Sequence, residues 1–355
     1  MDLNKRNQTI IDAVLARAQT VCPGSLELLG VCGSAATGDT HEKSDLDLLL
    51  VVGNGDAGKL AEGFILDDTG VGYDLYCTSW ERLEEDAQCT NARRLAKLFD
   101  SKIVFSKDGV TLKRLTNLRE KAAAVLSSDA RFDSAFAAFG EAEKAFAEAC
   151  FTDSLSEVRL CALRAAGGLT DALMLFHGKY FKRGIKRTFE ELAALGLPFD
   201  IEAAVLDVIR ARTPEAIRSA LKELFSSVKP ILRVEKKREA PSAENVSGTY
   251  EEMVSNWKNK MAESAKRGDC FSSFANLASL QDMIAEIAES VEIAESVEIE
   301  AAEIMDRFDP DDLEHNREVF DETLREYLKV YEKAGIRPKH FADADAFAAE
   351  YRLGK

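Results

Sequence analysis

The chain holds seven cysteines (Cys22, Cys32, Cys77, Cys89, Cys150, Cys161 and Cys270) but no Cys-x-x-Cys pair. An odd, scattered set of this kind argues against a disulfide framework or a zinc site and leaves reduced thiols. Its four histidines (His41, His177, His315 and His340) are far apart and show no ligand spacing, which speaks against a histidine-based zinc or hydrolase centre. No apolar run approaches the ~20 residues of a membrane helix, so no membrane partner is expected. The opening MDLNKRNQTI has no apolar core of a secretory signal, and a cytoplasmic location is the expectation. A basic tail is also missing, and Lys plus Arg total 46 against 62 Asp plus Glu, a net charge of −16. Such a field repels a phosphate backbone, so nucleic acid is disfavoured as a partner; cationic small molecules or metal-bridged anions are easier ones.

What is present is a soluble mixture, 46% apolar and 30% charged over 355 residues, long enough for two or three domains. Residues 4–19 place Ile10, Ile11, Val14, Leu15 and Ala18 at helical spacing, and Pro23-Gly24 ends that pattern. Strands are expected at 26–32, at 45–52 (DLDLLLVV), at 71–78 and at 103–105, with a helix over 80–99 between the last two. From about 111 onward Ala, Leu, Glu and Lys dominate and β-branched runs nearly vanish, which predicts helices. These cover 111–127, 131–150, 154–177, 187–196, 201–211 and 214–226, then 249–266, 271–305, 311–334 and 343–351 after a linker-like stretch at 234–248. The fold class read this way is α+β: a mixed-sheet core followed by an all-helical region. The divisions expected are 1–110, 111–238 and 239–355. A tandem repeat, IAESVE, spans 287–298. A six-residue step rotates a helix by about 240° net, so the two copies present different faces, and we attach no function to it.

The informative segment is GSAATGDTHEKSDLD, residues 33–47. Asp45 and Asp47 stand two apart at the expected start of a strand, so both carboxylates leave one face. Converging carboxylates suit a hard divalent cation such as Mg²⁺, which also takes phosphate oxygens and relieves the repulsion between them. Asp74 lies in the next expected strand and completes a three-carboxylate cluster if that strand pairs beside 45–52. Gly33 and Ser34 close the first strand in a turn whose N–H groups and hydroxyl suit phosphate oxygens. An Asp-x-Asp or a Gly-Ser turn alone is common. Joined by ten intervening residues and followed by a wholly apolar strand, they become specific.

The segment resembles the Gly-Ser-x10-Asp-x-Asp motif of the DNA polymerase β-like nucleotidyltransferase superfamily, in particular its minimal and antibiotic-modifying branches, the aminoglycoside and lincosamide nucleotidyltransferases. The match covers residues 1–110. The resemblance implies that Asp45, Asp47 and Asp74 hold Mg²⁺ and that Ser34, with Gly33, touches the nucleotide. It implies transfer of a nucleoside monophosphate, usually AMP from ATP, to a hydroxyl with release of pyrophosphate. A helical domain closing the cleft over the acceptor is implied as well. The acceptor expected is a small-molecule hydroxyl, of aminoglycoside-like or lincosamide-like type.

Residues 179–187, KYFKRGIKR, hold five bases in nine positions. On a helix Lys182/Lys186 and Arg183/Arg187 would be neighbours, and Lys182 and Arg183 are the candidates to reach the triphosphate and its leaving pyrophosphate. Glu141 and Glu143 are candidates for the base by position only, and the base is left unassigned. The competing reading is a protein-directed AMP-transferase or antitoxin-like regulator that modifies or binds a partner of the HEPN class. The fused partner's Arg-x4–6-His motif is absent, since Arg307 to His315 leaves seven residues between and Arg337 to His340 leaves two. A nucleotide-binding protein that has lost its chemistry would have no need of mutually repelling Asp45, Asp47 and Asp74.

Overall fold

The computed structural model describes residues 3–53, 55–234, 238–293 and 304–352. It is an α+β chain that divides into two compact units, Met1–Val234 and Glu235–Lys355.

The first unit opens with helix α1 (Leu3–Val21), whose buried Ile10, Ile11, Val14 and Ala18 repeat at the expected spacing. Strand β1 (Leu26–Val31) runs into the short helix α2 (Gly33–Thr37), and β2 (Leu48–Val52) returns antiparallel to β1. All five residues of β2, LLLVV, are buried, because a central strand covered on both faces needs no polar alternation. Leu49 and Val51 join Leu28 in the core on one face; Leu48, Leu50 and Val52 join α1 on the other. After α3 (Ala57–Leu60), strands β3 (Glu62–Leu66) and β4 (Val71–Leu75) form a separate two-stranded hairpin. The two-residue β5 (Cys77–Thr78) pairs parallel to β2. Helices α4 (Trp80–Asp86) and α5 (Leu95–Asp100) lead to β6 (Lys102–Ser106), antiparallel to β1. The sheet order is β5-β2-β1-β6.

Two expectations change here. The run 71–78 is two strands in two sheets, not one, and β3 was not expected at all. Residues 80–99 are two helices, separated by a turn in which Cys89 has a φ of 59°. Asn91 fixes that turn, its Oδ1 accepting the Arg93 and Arg94 amides at 3.0 and 3.1 Å. A side-chain oxygen that satisfies two free amides fixes a turn in place of a continued helix.

Beyond the sheet come α6 (Gly109–Ser127), α7 (Ala130–Cys150), α8 (Leu155–Phe176), α9 (Thr188–Ala193), α10 (Ile201–Arg210) and α11 (Pro214–Val228). Side chains cap three of these helices: those of Asp108, Asp200 and Thr213 accept the amides of Thr111, Ala203 and Ala216. Helix α7 buries Ala135, Ala138, Ala142, Ala145 and Ala149 against α8. Small residues let the helix backbones approach. At Gly168 of α8 a Cβ would stand 3.0 Å from the Ala142 Cβ and 3.1 Å from the Ala138 carbonyl oxygen.

The second unit is helical around its own core of Met253, Met261, Leu277, Leu280, Phe320, Leu324, Tyr327 and Tyr331. It comprises α12 (Ala243–Val246), α13 (Thr249–Met253), a π turn at Val254–Lys258, α14 (Asn259–Arg267), α15 (Cys270–Ser290), α16 (Leu313–Lys333) and α17 (Ala344–Tyr351). The described part of the linker-like stretch is ordered: Ser242 and Asn245 form a capping box, and Glu239 bridges Val291. Helix α15 ends at Ser290 rather than continuing to 305, so the first IAESVE copy straddles its end and buries Val291. The second copy lies, from Ala294 on, outside the described residues. Among the described residues no helix is long and apolar enough to cross a membrane.

Candidate active site

The ladder between β1 and β2 brings the two ends of the 33–47 segment together. One rung beyond the strands, the Cys32 amide donates to the Asp47 carbonyl at 2.9 Å. Asp45 and Asp47 therefore precede β2 instead of starting it, in backbone that follows the turn around His41–Ser44. Gly33, at φ +61°, follows Cys32, and the space where its side chain would be is taken by Asp47. A Cβ there would lie 1.9 Å from Asp47 Oδ2 and 2.8 Å from its Cγ. Only glycine satisfies both the left-handed backbone and that contact. The Gly-Ser turn and the second carboxylate of Asp-x-Asp are thus one steric unit.

Asp47 is half-buried and its pKa is raised, first by burial and then by the Asp45 charge, with Lys97 working against both. This is the electrostatics of two carboxylates crowding one place. Asp45 itself is exposed. Its loop is held from behind by buried Arg6 of α1, which donates to the Ser44 carbonyl at 2.7 Å and lies over the Tyr73 ring at 5.8 Å. The Ser44 hydroxyl accepts the His41 amide at 2.9 Å, closing the turn. Cys32 is buried, and burial pushes its thiol up to about 12, which disfavours the thiolate.

Asp74 does not join the pair. It sits on β4 opposite Gly63 of the hairpin, exposed, while its neighbours Tyr73 and Leu75 pack inward. Alternation then sends its carboxylate away from the face where Tyr73 meets Arg6 and feels the Asp45 charge. Among the described residues no group of three or more His, Cys, Asp or Glu side chains is gathered to hold a metal ion. The expected three-carboxylate cluster fails because strand 71–78 breaks at Tyr76, leaving only β5 beside β2.

The basic segment 179–187 is a loop ending in a single 3-10 turn at Ile185–Arg187, so the helical neighbours expected there do not form. Glu191 organises it, accepting the Lys182 and Arg183 amides at 2.8 and 2.9 Å and the Arg183 Nε at 3.2 Å. Arg183 also pairs with Glu190 at 3.2 Å, and Lys182 is exposed with its ammonium 5.6 Å from the Tyr180 ring. The bases that reach the 33–47 segment are the later ones. Arg187 grips Asp39 through Nε and Nη2 at 3.1 and 3.0 Å, and Lys186 stands 3.6 Å from the same carboxylate. These hydrogen bonds hold Asp39 down to about 2.

The cation whose charge Asp47 feels comes instead from α5, which neighbours α2: it is Lys97. A cavity of about 390 Å³ opens along β2, walled by Arg82, Asp86, Arg93, Arg94 and Lys97. Arg82 is paired with Glu85 and Asp86, and Arg93 is drawn toward Asp171 and donates to Thr188 at 3.1 Å. Arg94 and Lys97 have no ion pair among the described residues. Lys97 is also near enough to lower Asp47, Asp86 and Cys32 at once. Sequence reading missed these two. The signal was Arg-Arg-x-x-Lys after Asn91, hidden by treating 80–99 as one helix. Glu141, exposed, is paired with Lys144 at 2.6 Å, and Glu143 is a surface residue.

No family model and no curated protein match the chain. Among solved structures, the nucleotidyltransferase-like protein from Exiguobacterium sibiricum 255-15 aligns with 72% of this chain and 81% of its own. The two are 13% identical over that alignment, with a TM-score of 0.35.

Proposed function

We propose that the chain is a nucleotidyltransferase that transfers a nucleoside monophosphate, AMP from ATP, to a hydroxyl of a small-molecule acceptor and releases pyrophosphate. The observation that carries the reading is the fit of the Asp47 carboxylate into the space left by Gly33, with Asp45 close enough to raise Asp47. That unit unites the motif whose resemblance points to this superfamily.

Two carboxylates, with no third gathered beside them among the described residues, suit a single Mg²⁺, which is commonly bound through one or two carboxylates plus substrate phosphates. Asp45 and Asp47 would hold it, and when bound it would supply positive charge to offset that of the phosphates. The chain's own groups do the remaining work. Ser34 and the turn at Gly33 present donors to the phosphates, and the free cations Arg94 and Lys97 attract the triphosphate into an otherwise acidic protein. Fixed positive charge there stabilises the negative charge that grows on the leaving pyrophosphate. The acceptor oxygen bonds to the α-phosphorus as the bond to the bridging oxygen breaks, and the hydroxyl proton passes to solvent or to a base. Arg187 and Lys186, by gripping Asp39, hold the loop that carries this constellation.

The test is incubation with Mg²⁺ and α-phosphate-labelled ATP against aminoglycosides, lincosamides, a metabolite extract and a protein extract. Label is expected on a small molecule, and Asp47→Asn is expected to lower transfer about 10³-fold while the fold melts no earlier than wild type. Label on a protein would replace the acceptor class with a protein partner. Full activity of Asp47→Asn would remove that residue from the site.

A further inference from the structure

A second cavity, of about 350 Å³, lies in the helical part of the first unit, with neither Asp45 nor Asp47 in its lining. One face of α8 forms its floor, with Ala162, Ala166 and Thr170 at helical spacing between Arg159 and the core. Val205, Val208 and Ile209 of α10 form one wall, and Ile185 and Phe189, around the start of α9, form the other.

Three features mark it as a ligand site. Leu163, Ile185 and Ile209 ring it with 69, 81 and 64% exposure, a cluster of large apolar side chains left in water at one mouth. Its titratable lining is two arginines, Arg93 and Arg159, with no carboxylate, in a chain whose acidic residues outnumber its basic ones by 62 to 46. The two arginines differ. Arg93 is engaged with Thr188, Asp171 and the Phe181 ring, the last at 4.2 Å, whereas Arg159 has no ion partner among the described residues. The size falls in the range of small-molecule pockets, and apolar walls with one or two placed polar groups are what such pockets use.

We propose that this cavity binds a small amphiphilic anion, an apolar body carrying one carboxylate or similar group, with the apolar part between α8 and α10 and the anion paired with Arg159. The proposal does not rest on the transfer reaction, although Arg93 lines both this cavity and the one along β2. Its lining is opposite in sign to the whole-chain charge, which by itself would favour a cation. An Arg–carboxylate contact supplies the charge selection and the apolar walls supply the bulk of the affinity.

The experiment is calorimetric titration of the full chain with decanoate, decyltrimethylammonium and decanol. Saturable binding of decanoate is expected, at least tenfold tighter than either other probe. Arg159→Gln, at an exposed position, is expected to weaken decanoate about tenfold and to leave decanol unchanged. Ile209→Asp, also exposed and checked for an unchanged melting temperature, is expected to abolish both. No saturable decanoate binding, equal or tighter binding of the cationic probe, or decanoate affinity unaffected by Arg159→Gln and Ile209→Asp would each overturn the proposal.

Discussion

Two glycines do the same steric job in two parts of the first unit, for different ends. At Gly33 the absent side chain makes room for a carboxylate; at Gly168 it makes room for a neighbouring helix. Around Gly33 the chain brings charge together, Asp45 beside Asp47, and the local cost is visible in the raised Asp47. Around Gly168 it brings only methyl groups together, Ala138, Ala142 and Ala145 of α7 against α8. Close approach in the helical part lowers the energy of the fold through contact, whereas close approach at the ends of the central strands works against the fold and has a reason only if something cationic arrives. The contrast separates a glycine that lets helices pack from one that lets charge crowd together.

Substitution sharpens that contrast. Gly33→Ala sets a methyl group 1.9 Å from the Asp47 oxygen at a φ of +61°, so either the carboxylate or the turn must move. Transfer is expected to fall about 100-fold, the scale of a misplaced catalytic group. Stability is expected to drop by only about 1–2 kcal/mol. Labelled-nucleotide transfer and a denaturant titration read the two separately, and equal losses in both would reduce Gly33 to a packing residue. Gly168→Ala is the converse. Its methyl would meet Ala142 at 3.0 Å and the Ala138 carbonyl at 3.1 Å, which is overpacking between rigid helices. A loss of about 1–3 kcal/mol is expected, with transfer unchanged well below the melting temperature. An unchanged melt would mean that the two helices separate freely.

The difference between these regions also explains what the sequence disclosed. Strand β2 was legible because five apolar residues in a row suit only a covered strand, and the α7 and α8 helices because alanine-rich runs favour helix. The Gly-Ser and Asp-x-Asp pairing was legible because its chemistry lies within 15 residues of chain. Asp74 was misplaced because strand pairing is decided by tertiary contacts: the run 71–78 contains a break at Tyr76 that β-propensity does not reveal. Lys182 and Arg183 were favoured over Lys186 and Arg187 because the loop's register depends on Glu191, whose backbone contacts are invisible to charge counting. Arg6, Arg94 and Lys97 were missed for a related reason. Each acts at a distance in sequence, and a single basic residue on a helix is ordinarily read as solvated.

Three residues past Gly168, on the same helix, Asp171 is a buried carboxylate in a helix that otherwise buries mainly apolar side chains. It is 7% exposed, its Oδ1 has no hydrogen bond, and the nearest cation to it is Arg93, 3.7 Å away. Burial raises its carboxyl to about 6, against the Arg93 charge and a bond from the Ala92 amide that both lower it. A carboxyl raised on folding binds its proton more tightly in the native state. Its contribution is therefore complete below the ordinary carboxylate value of about 3.9 and is lost as pH rises through about 6. Between those limits stability should tilt downward by at most about 1.4 kcal/mol per pH unit from this group. Asp171→Asn keeps the shape and removes the titration, so urea midpoints measured from pH 4 to pH 7 should show a flatter limb in the variant. Parallel limbs would mean that Arg93 compensates the buried charge in full, and the helical part would then carry its ion pair at no cost, as the carboxylate pair before β2 does not.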